Sequence, residues 1–547
     1  MKQLVLSEWL LTQLSVSQFP AHMPTHRRIY QSIRRAITEQ VLPAGARLPS
    51  TRSLATDLAV SRNTILAAFE QLLDEGYVLA LTGSGTYVAY NQPDGFLNND
   101  EPLKNTVANT FHTAPSIYTD ENKNLKDALT LTYSGRDKIT NAGLSSRGMV
   151  AAGVLDGHAN NQGHRYNHSH EVQPFTPGED DYAKFPTALW RRLLNRQWRT
   201  LNPTLLDSSH SGGYLPLRVA IADYLRVSRA VNLNVDQVLI TSGTQQSIDL
   251  CARLLTDHGD CTWVENPCYW AARQVLEVNG LQLHPVPVDN EGMAPSLDDF
   301  RVTPRLIYTT PSHQYPKGMV MSYGRRRLLL DYAQNSGAWI IEDDYDSEFR
   351  FEGRPISSLQ GMDQNGRVLY MGTFSKVMYP GIRLGYLVVP AQLVESFKIG
   401  LYELQRPGQV VIQAALADFI EEGHFTSHIR RLKQIYGERR RLLQASLACV
   451  ADVGARLSMV DSGLHLVVEF DAHIDDVRVA AMAADSGLRV YPLSSYWVDE
   501  NPAENLGENL HNNVDKGLIV GYAYSATEHI TQYGTVLALV IHAALSQ

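Results

Sequence analysis

Cysteine is scarce in this chain, with four in 547 residues (Cys251, Cys261, Cys268, Cys449) and no CxxC spacing. That excludes a disulfide framework and a paired-cysteine zinc site, and leaves four ordinary reduced thiols. No apolar run is long enough to cross a bilayer, and no basic leader precedes a short apolar segment. A cytoplasmic protein with no membrane partner is expected. An overall positive charge is missing too: the formal net charge is -9, which argues against nonspecific nucleic-acid binding by the whole chain.

What is present is a globular composition, 44% hydrophobic and 19% charged. The length corresponds to about three or four domain-sized units, a count that large α/β enzymes lower. The average charge hides an asymmetry. Between Pro24 and Phe69 stand seven arginines (Arg27, Arg28, Arg34, Arg35, Arg47, Arg52, Arg62) against Glu39 and Asp57, a local balance of +5.

Three zones separate by composition. Residues 1–90 are compact and helix-patterned. Residues 91–170 are polar and rich in Asn, His, Asp and Ser, with too little apolar content to offset the entropy of ordering, so a partly mobile linker is expected. His158, His164, His168 and His170 in it lack a carboxylate or cysteine at fixed spacing, and no metal site is expected there. From 171 to 547, short apolar runs such as "QVLIT", "CTWVE", "RLIYTT", "AWIIED", "RVLYMGT" and "RLGYLVV" alternate with helical stretches at 184–199, 216–229, 245–256 and 321–336. Strands buried on both faces and separated by helices describe a largely parallel α/β sheet, here a large lobe of about 175–390. A smaller α+β lobe, about 391–547, follows it.

The first zone resolves into three helices and a hairpin. Ile29, Ile33, Ala36 and Ile37 form a stripe at helical spacing, and "LPAG" at 42–45 ends that helix. In "LPSTRSLATDLAVSRNTILAAFEQLLDEGYV", Ser50 and Ser61 can cap two short helices separated by a turn around Ala59 and Val60. Ile65, Leu66, Phe69, Leu72 and Leu73 read as the buried side of the second. Arg62, Asn63 and Thr64 are left at its N-terminal end, where such helices meet bases and phosphates. "YVLALTGSGTYVAY" supplies two strands and a Gly-containing turn, a wing. Residues 48–88 resemble the GntR-family winged helix almost throughout. The resemblance implies DNA contacts by Arg52, Arg62, Thr64 and the wing around Gly85, with Arg47 supporting phosphates.

In the third zone, "GTFSKVMYPGIRLGY" places Lys376 among small hydroxylated residues. A lysine that forms a Schiff base with pyridoxal 5'-phosphate needs a carboxylate at the pyridine nitrogen, donors for the phosphate and an aromatic face over the ring. Asp343 in "WIIEDDYDSEF" suits the nitrogen, and Tyr345 the ring hydroxyl. "TSGTQQSIDL" follows a strand and opens a helix, so the N–H groups at Gly243 and Thr244 face an anion site. Thr373, Ser375 and Arg383 can close on the same phosphate. Tyr269 offers a stacking face, and His313 with Gln314 in "TPSHQYPKG" stands near where the aminotransferases that this set resembles place an asparagine beside the ring oxygen, which implies a pocket role.

That ordered set resembles fold-type I aminotransferases, and more closely the aminotransferase-like half of MocR-family (GabR-like) regulators. "SGGYLPLRVAIADYL", "TSGTQQSIDL", "TPSHQYPKG", "EDDYDSEFRFEGRPISSLQG" and "GTFSKVMYPGIRLGYLVVP" carry it. The family implies pyridoxal phosphate on Lys376, a head-to-tail homodimer, promoter DNA as partner, and control by a small amine or amino-acid effector exchanging with the Lys376 aldimine. Alternatives are a sensor of pyridoxal phosphate controlling vitamin B6 genes, or an active aminotransferase. The last is disfavoured: Ile519 in "LIVGYAYS" stands where aminotransferases place a carboxylate-binding arginine, leaving Arg273 and Arg406 as candidates. Any transamination is expected to be weak.

Overall fold

A computed structural model describes residues 24–546 except 39–41, 43–44, 59, 75–76, 82–84, 90–144, 152–171, 201–202, 207–210, 353–356, 407, 459–460 and 499–513. The N-terminal head holds helices Thr25–Thr38, Thr51–Asp57 and Arg62–Asp74, then strands β1 (Val78–Leu81) and β2 (Gly85–Val88). The strands pair antiparallel from Val78↔Val88 to Leu81↔Gly85. Ser50 caps the second helix by accepting from the Ser53 N–H, and the Ser61 hydroxyl accepts from the Thr64 N–H at 3.1 Å. Such caps contribute about 1 kcal/mol each. Ile29, Ile33, Ile37, Leu54, Ile65, Phe69 and Leu72 form one apolar core. Leu66, expected inside, is 40% exposed. One residue is about 100° of helix rotation, so Leu66 cannot share the face that Ile65, Phe69 and Leu72 bury.

Part of the expected linker is structured. Helix Ser146–Ala151 lies against helix Trp270–Val278, with the Arg147 guanidinium donating to the Val278 carbonyl at 2.9 Å and the Gln274 amide to that of Ala151 at 3.2 Å. The four linker histidines lie outside the described residues.

The large sheet contains β3 (Val238–Thr241), β4 (Cys261–Asn266), β5 (Gln282–Asp289), β6 (Gly292–Met293), β7 (Leu306–Thr309), β8 (Trp339–Asp344), β9 (Val368–Thr373) and β10 (Gly385–Val388). Their spatial order is β3-β10-β9-β8-β7-β4-β5-β6. The run β9-β8-β7-β4-β5 is parallel, while β10 is antiparallel to both β3 and β9 and β6 to β5. β5 was not legible as a strand because Pro285 and Pro287 interrupt it, which an outer position tolerates. Helices Thr187–Arg199, Leu215–Ser228, Thr244–Leu255 and Tyr323–Ser336 fall on the four expected stretches.

The second lobe carries β11 (Arg456–Leu457), β12 (His465–Phe470), β13 (Tyr491–Pro492) and β14 (Lys516–Gly521), an antiparallel sheet in the order β11-β12-β14-β13. Its core is continuous with part of the large lobe's: Val238 and Tyr370 belong to the same apolar cluster as Val468 and Leu537. The head touches this body through Val227, buried in the head's core cluster, through the Arg27 guanidinium donating to the Glu421 carbonyl, and through Arg430 and Glu70 3.6 Å apart.

Candidate functional site

The ends of β8, β9 and β3 on one side of the sheet assemble the site, where parallel strands leave a crevice beyond their carboxyl ends. Asp343, next to last in β8, is 3% exposed. The Tyr308 hydroxyl donates to its Oδ2 at 2.8 Å, while Oδ1 has no hydrogen-bond partner. Burial pushes the Asp343 carboxyl up to about 7, against the Tyr308 hydrogen bond and with Asp344, Asp346 and Glu265 adding to the rise. An unpaired buried carboxylate oxygen is costly, and a cationic ring nitrogen is the partner it fits. In chain order Tyr269 follows β4 and Tyr345 follows β8, so both stand at this end of the sheet. Burial pushes the Tyr269 hydroxyl up to about 12, and nearby Asp343 adds to the rise.

The Tyr345 hydroxyl is 2.7 Å from His313 Nδ1, which is 3.0 Å from Asp346 Oδ2. His313 is therefore placed behind Tyr345, fixing its hydroxyl. The fit is tight: a Cβ at Gly463 would lie 2.0 Å from the His313 ring, and Gly463 has φ +89°. Gln314 turns away, donating to the Pro267 carbonyl at 2.9 Å.

At the opposite edge Gly243 precedes helix Thr244–Leu255 with φ 122° and ψ 179°, a conformation essentially confined to glycine. Gly385 pairs with both Thr241 and Thr373, which brings the β3-to-helix turn beside the turn holding Ser375 and Lys376. A Cβ on Gly385 would approach the Gly243 Cα to 2.9 Å. The Thr373 hydroxyl accepts from the Ser375 N–H at 3.1 Å. Arg383 is exposed in the turn before β10, at φ +48°. The Thr244–Leu255 N-terminus and these hydroxyls fit a phosphate.

Lys376 is half-buried. Its ammonium donates to the Gly178 carbonyl and lies 3.8 Å from Asp180 Oδ2. The candidate carboxylate partners are otherwise engaged. Arg273 is buried, donating to the Trp497 carbonyl at 3.2 Å, and exposed Arg406 donates to the Tyr402 hydroxyl at 2.8 Å. Ile519 is fully buried with Val467, Leu493 and Tyr496, against Trp270, Tyr315 and Tyr491. Sequence reasoning missed Tyr308, Asp346 and Asp180. Asp346 stood in the quoted "EDDYDSEF", and Tyr308 alternates along "RLIYTT" with residues on the other face; neither signal shows which buried acid would meet which hydroxyl.

In the head, Arg52, Arg62 and Asn63 are exposed on the helix pair. Thr64 is half-buried, its hydroxyl 2.8 Å from that of Ser61, so it serves the cap as well. Arg47 is exposed, with its guanidinium 6.0 Å over the Tyr87 ring. Gly85 begins β2, and the wing turn at 82–84 lies outside the described residues.

Residues 25–88 match the family described as bacterial regulatory proteins, gntR family, and residues 178–503 match aminotransferase class I and II. The chain is 36% identical over 503 residues to the probable rhizopine catabolism regulatory protein MocR of Rhizobium meliloti, covering 92% of this chain and 91% of that protein. It is 29% identical over 478 residues to the HTH-type pyridoxine biosynthesis transcriptional regulator PdxR of Corynebacterium glutamicum, covering 87% and 89%. Among solved structures, a kynurenine aminotransferase of Pyrococcus horikoshii superposes with TM-score 0.61 at 25% identity, over 69% of this chain and 92% of that one. A head that reads DNA and a body with the aminotransferase fold, matched together by the same regulators, place this chain in the MocR family of HTH-type transcriptional regulators.

Proposed function

We propose that this regulator holds pyridoxal 5'-phosphate at Lys376 and reads a small amine there, converting occupancy of the pocket into altered promoter binding by the head. When bound, the cofactor supplies a carbonyl carbon that exchanges one nitrogen partner for another. Asp343 would hold the ring nitrogen, Tyr345, set by His313, the ring oxygen, and Tyr269 the ring face. Gly243, Thr244, Thr373, Ser375 and Arg383 would take the phosphate. The observation that carries the reading is the unpartnered Oδ1 of buried Asp343. An effector amine received beside Lys376 would shift the balance between conformers by its differential affinity for them. Sustained transamination is disfavoured because Arg273 and Arg406 are engaged elsewhere and Ile519 is sealed in apolar packing.

The test is spectroscopic. Purified protein supplied with the cofactor should acquire a visible absorbance that Lys376→Ala abolishes while leaving the far-ultraviolet circular dichroism unchanged. Absorbance that persists in Lys376→Ala defeats the proposal. A second reading, that the cofactor is itself the signal, is favoured by the similarity to the pyridoxine biosynthesis regulator. Promoter binding measured without cofactor, with it, and then with added amines separates the two: only the first reading requires the last addition to change affinity. A head-to-tail homodimer, and the division into residues 1–90, 91–170 and 171–547, belong to the same proposal; light scattering and limited proteolysis test them.

A further inference from the structure

Three consecutive acids, Glu179, Asp180 and Asp181, cross the site beside Lys376, and they differ in their partners. Glu179 accepts from the Tyr182 hydroxyl at 2.6 Å, and Asp181 accepts from buried Arg439 at 2.6 Å. Asp180 is 3% exposed, and neither of its carboxylate oxygens has a hydrogen-bond partner. The cation that faces it is Lys376, whose ammonium is 3.8 Å away and donates instead to the Gly178 carbonyl. A buried carboxylate left in that state is destabilising, and positions of this kind persist where a ligand completes them.

The charges acting on Asp180 are two acids and one lysine. Asp346 and Glu179 act on its carboxyl in the same direction as burial, and Lys376 opposes them. No guanidinium among the described residues is hydrogen-bonded or ion-paired to Asp180, and Arg439 is committed to Asp181, the Ala523 carbonyl and Thr527. Resting on the reading that an amine reaches Lys376, we propose that Asp180 selects the effector. It receives a second cationic group, so that the site takes a diamine in preference to a monoamine or an amino acid. The reacting nitrogen comes to the place that the lysine nitrogen leaves, so a second ammonium a few bonds away is within reach of Asp180. A carboxylate there would meet a like charge with no arginine to receive it.

The probes are 1,3-diaminopropane, n-propylamine and β-alanine, titrated into full-length, cofactor-loaded protein and followed by the visible spectrum and by melting temperature. Wild-type protein should bind 1,3-diaminopropane about tenfold or more tightly than either other probe, the increment of one charge-assisted contact. Asp180→Asn should reduce that preference to about twofold or less. Equal affinities in wild type, a preference for β-alanine, or a preference that survives Asp180→Asn each overturn the proposal. Should Asp180→Asn not fold, Asp180→Ser and the wild-type probe series decide it. Absence of any cofactor spectrum defeats the underlying reading as well, whereas a normal spectrum that responds equally to all amines defeats only the role of Asp180.

Discussion

At the residue scale the site is defined by carboxylates whose burial exceeds their hydrogen bonding. Asp343 has one oxygen held by Tyr308 and the other unpartnered, and burial raises its carboxyl to about 7 from an ordinary value of 3.8. A carboxyl raised in the folded state binds its proton more tightly there than in the unfolded chain. Its stabilising contribution is therefore complete below pH 3.8 and lost as pH rises through about 7. Apoprotein carrying Asp343→Asn lacks that loss. Relative to wild type it should gain stability by roughly 1 kcal/mol per pH unit between about pH 5 and pH 7, and nothing further above that. Urea unfolding of both proteins at pH 5, 6, 7 and 8 measures this, and two parallel curves would refute it. Asp343 was legible from its place at the end of an apolar run. Tyr308 was not, because a tyrosine inside a strand signals burial and nothing about which carboxylate its hydroxyl meets.

At the scale of elements, the strand ends are locked to the loops that follow them by buried side chains acting as backbone acceptors. Glu342, fully buried in β8, accepts from the Leu359 N–H with one oxygen and from the Gln360 N–H with the other, each at 2.8 Å. Glu342→Gln keeps one acceptor and turns a donor toward the second N–H. Burial raises the Glu342 carboxyl to about 7, so the comparison belongs at pH 5, where it is neutral: the expected cost is about 1–3 kcal/mol, read as a lower denaturant midpoint. An unchanged midpoint would mean that water satisfies the freed N–H. The alternation of apolar runs and helices announced the parallel strands, since each run is buried on both faces. It could not reveal that β10 runs antiparallel between β3 and β9, because a strand buried on both faces carries no mark of its direction.

At the scale of the whole molecule, a chain of net charge -9 concentrates its positive excess in the head. Binding to DNA should therefore weaken as salt rises, through release of counterions from the neutralised phosphates. Arg62, exposed at the start of its helix, should be one of those contacts. Arg62→Ala is expected to weaken binding to the protein's own promoter fragment and to lower the slope of log affinity against log salt by about 1, with circular dichroism unchanged. An unaltered slope would remove Arg62 from the interface. Val227 packing into the head's core, with the Glu70 and Arg430 pair at the rim, supplies a physical contact through which the body can bias the head. The ion pair itself is half-exposed and contributes little, on the order of 0–1 kcal/mol.

The sequence by itself determined the two-part architecture and the candidate residues each part offers. Periodicity, caps and glycine turns are local, and Lys376, Asp343, Gly243 and the head's arginines could be named from their immediate neighbours. Tertiary structure alone decided which polar groups are left without partners. It set His313 behind Tyr345, enclosed Ile519 in apolar packing, turned Arg273 to the Trp497 carbonyl, and brought Asp180, from a segment almost 200 positions away, to 3.8 Å from Lys376. Satisfaction of a buried charge depends on every element packed around it, and no stretch of sequence carries that information alone.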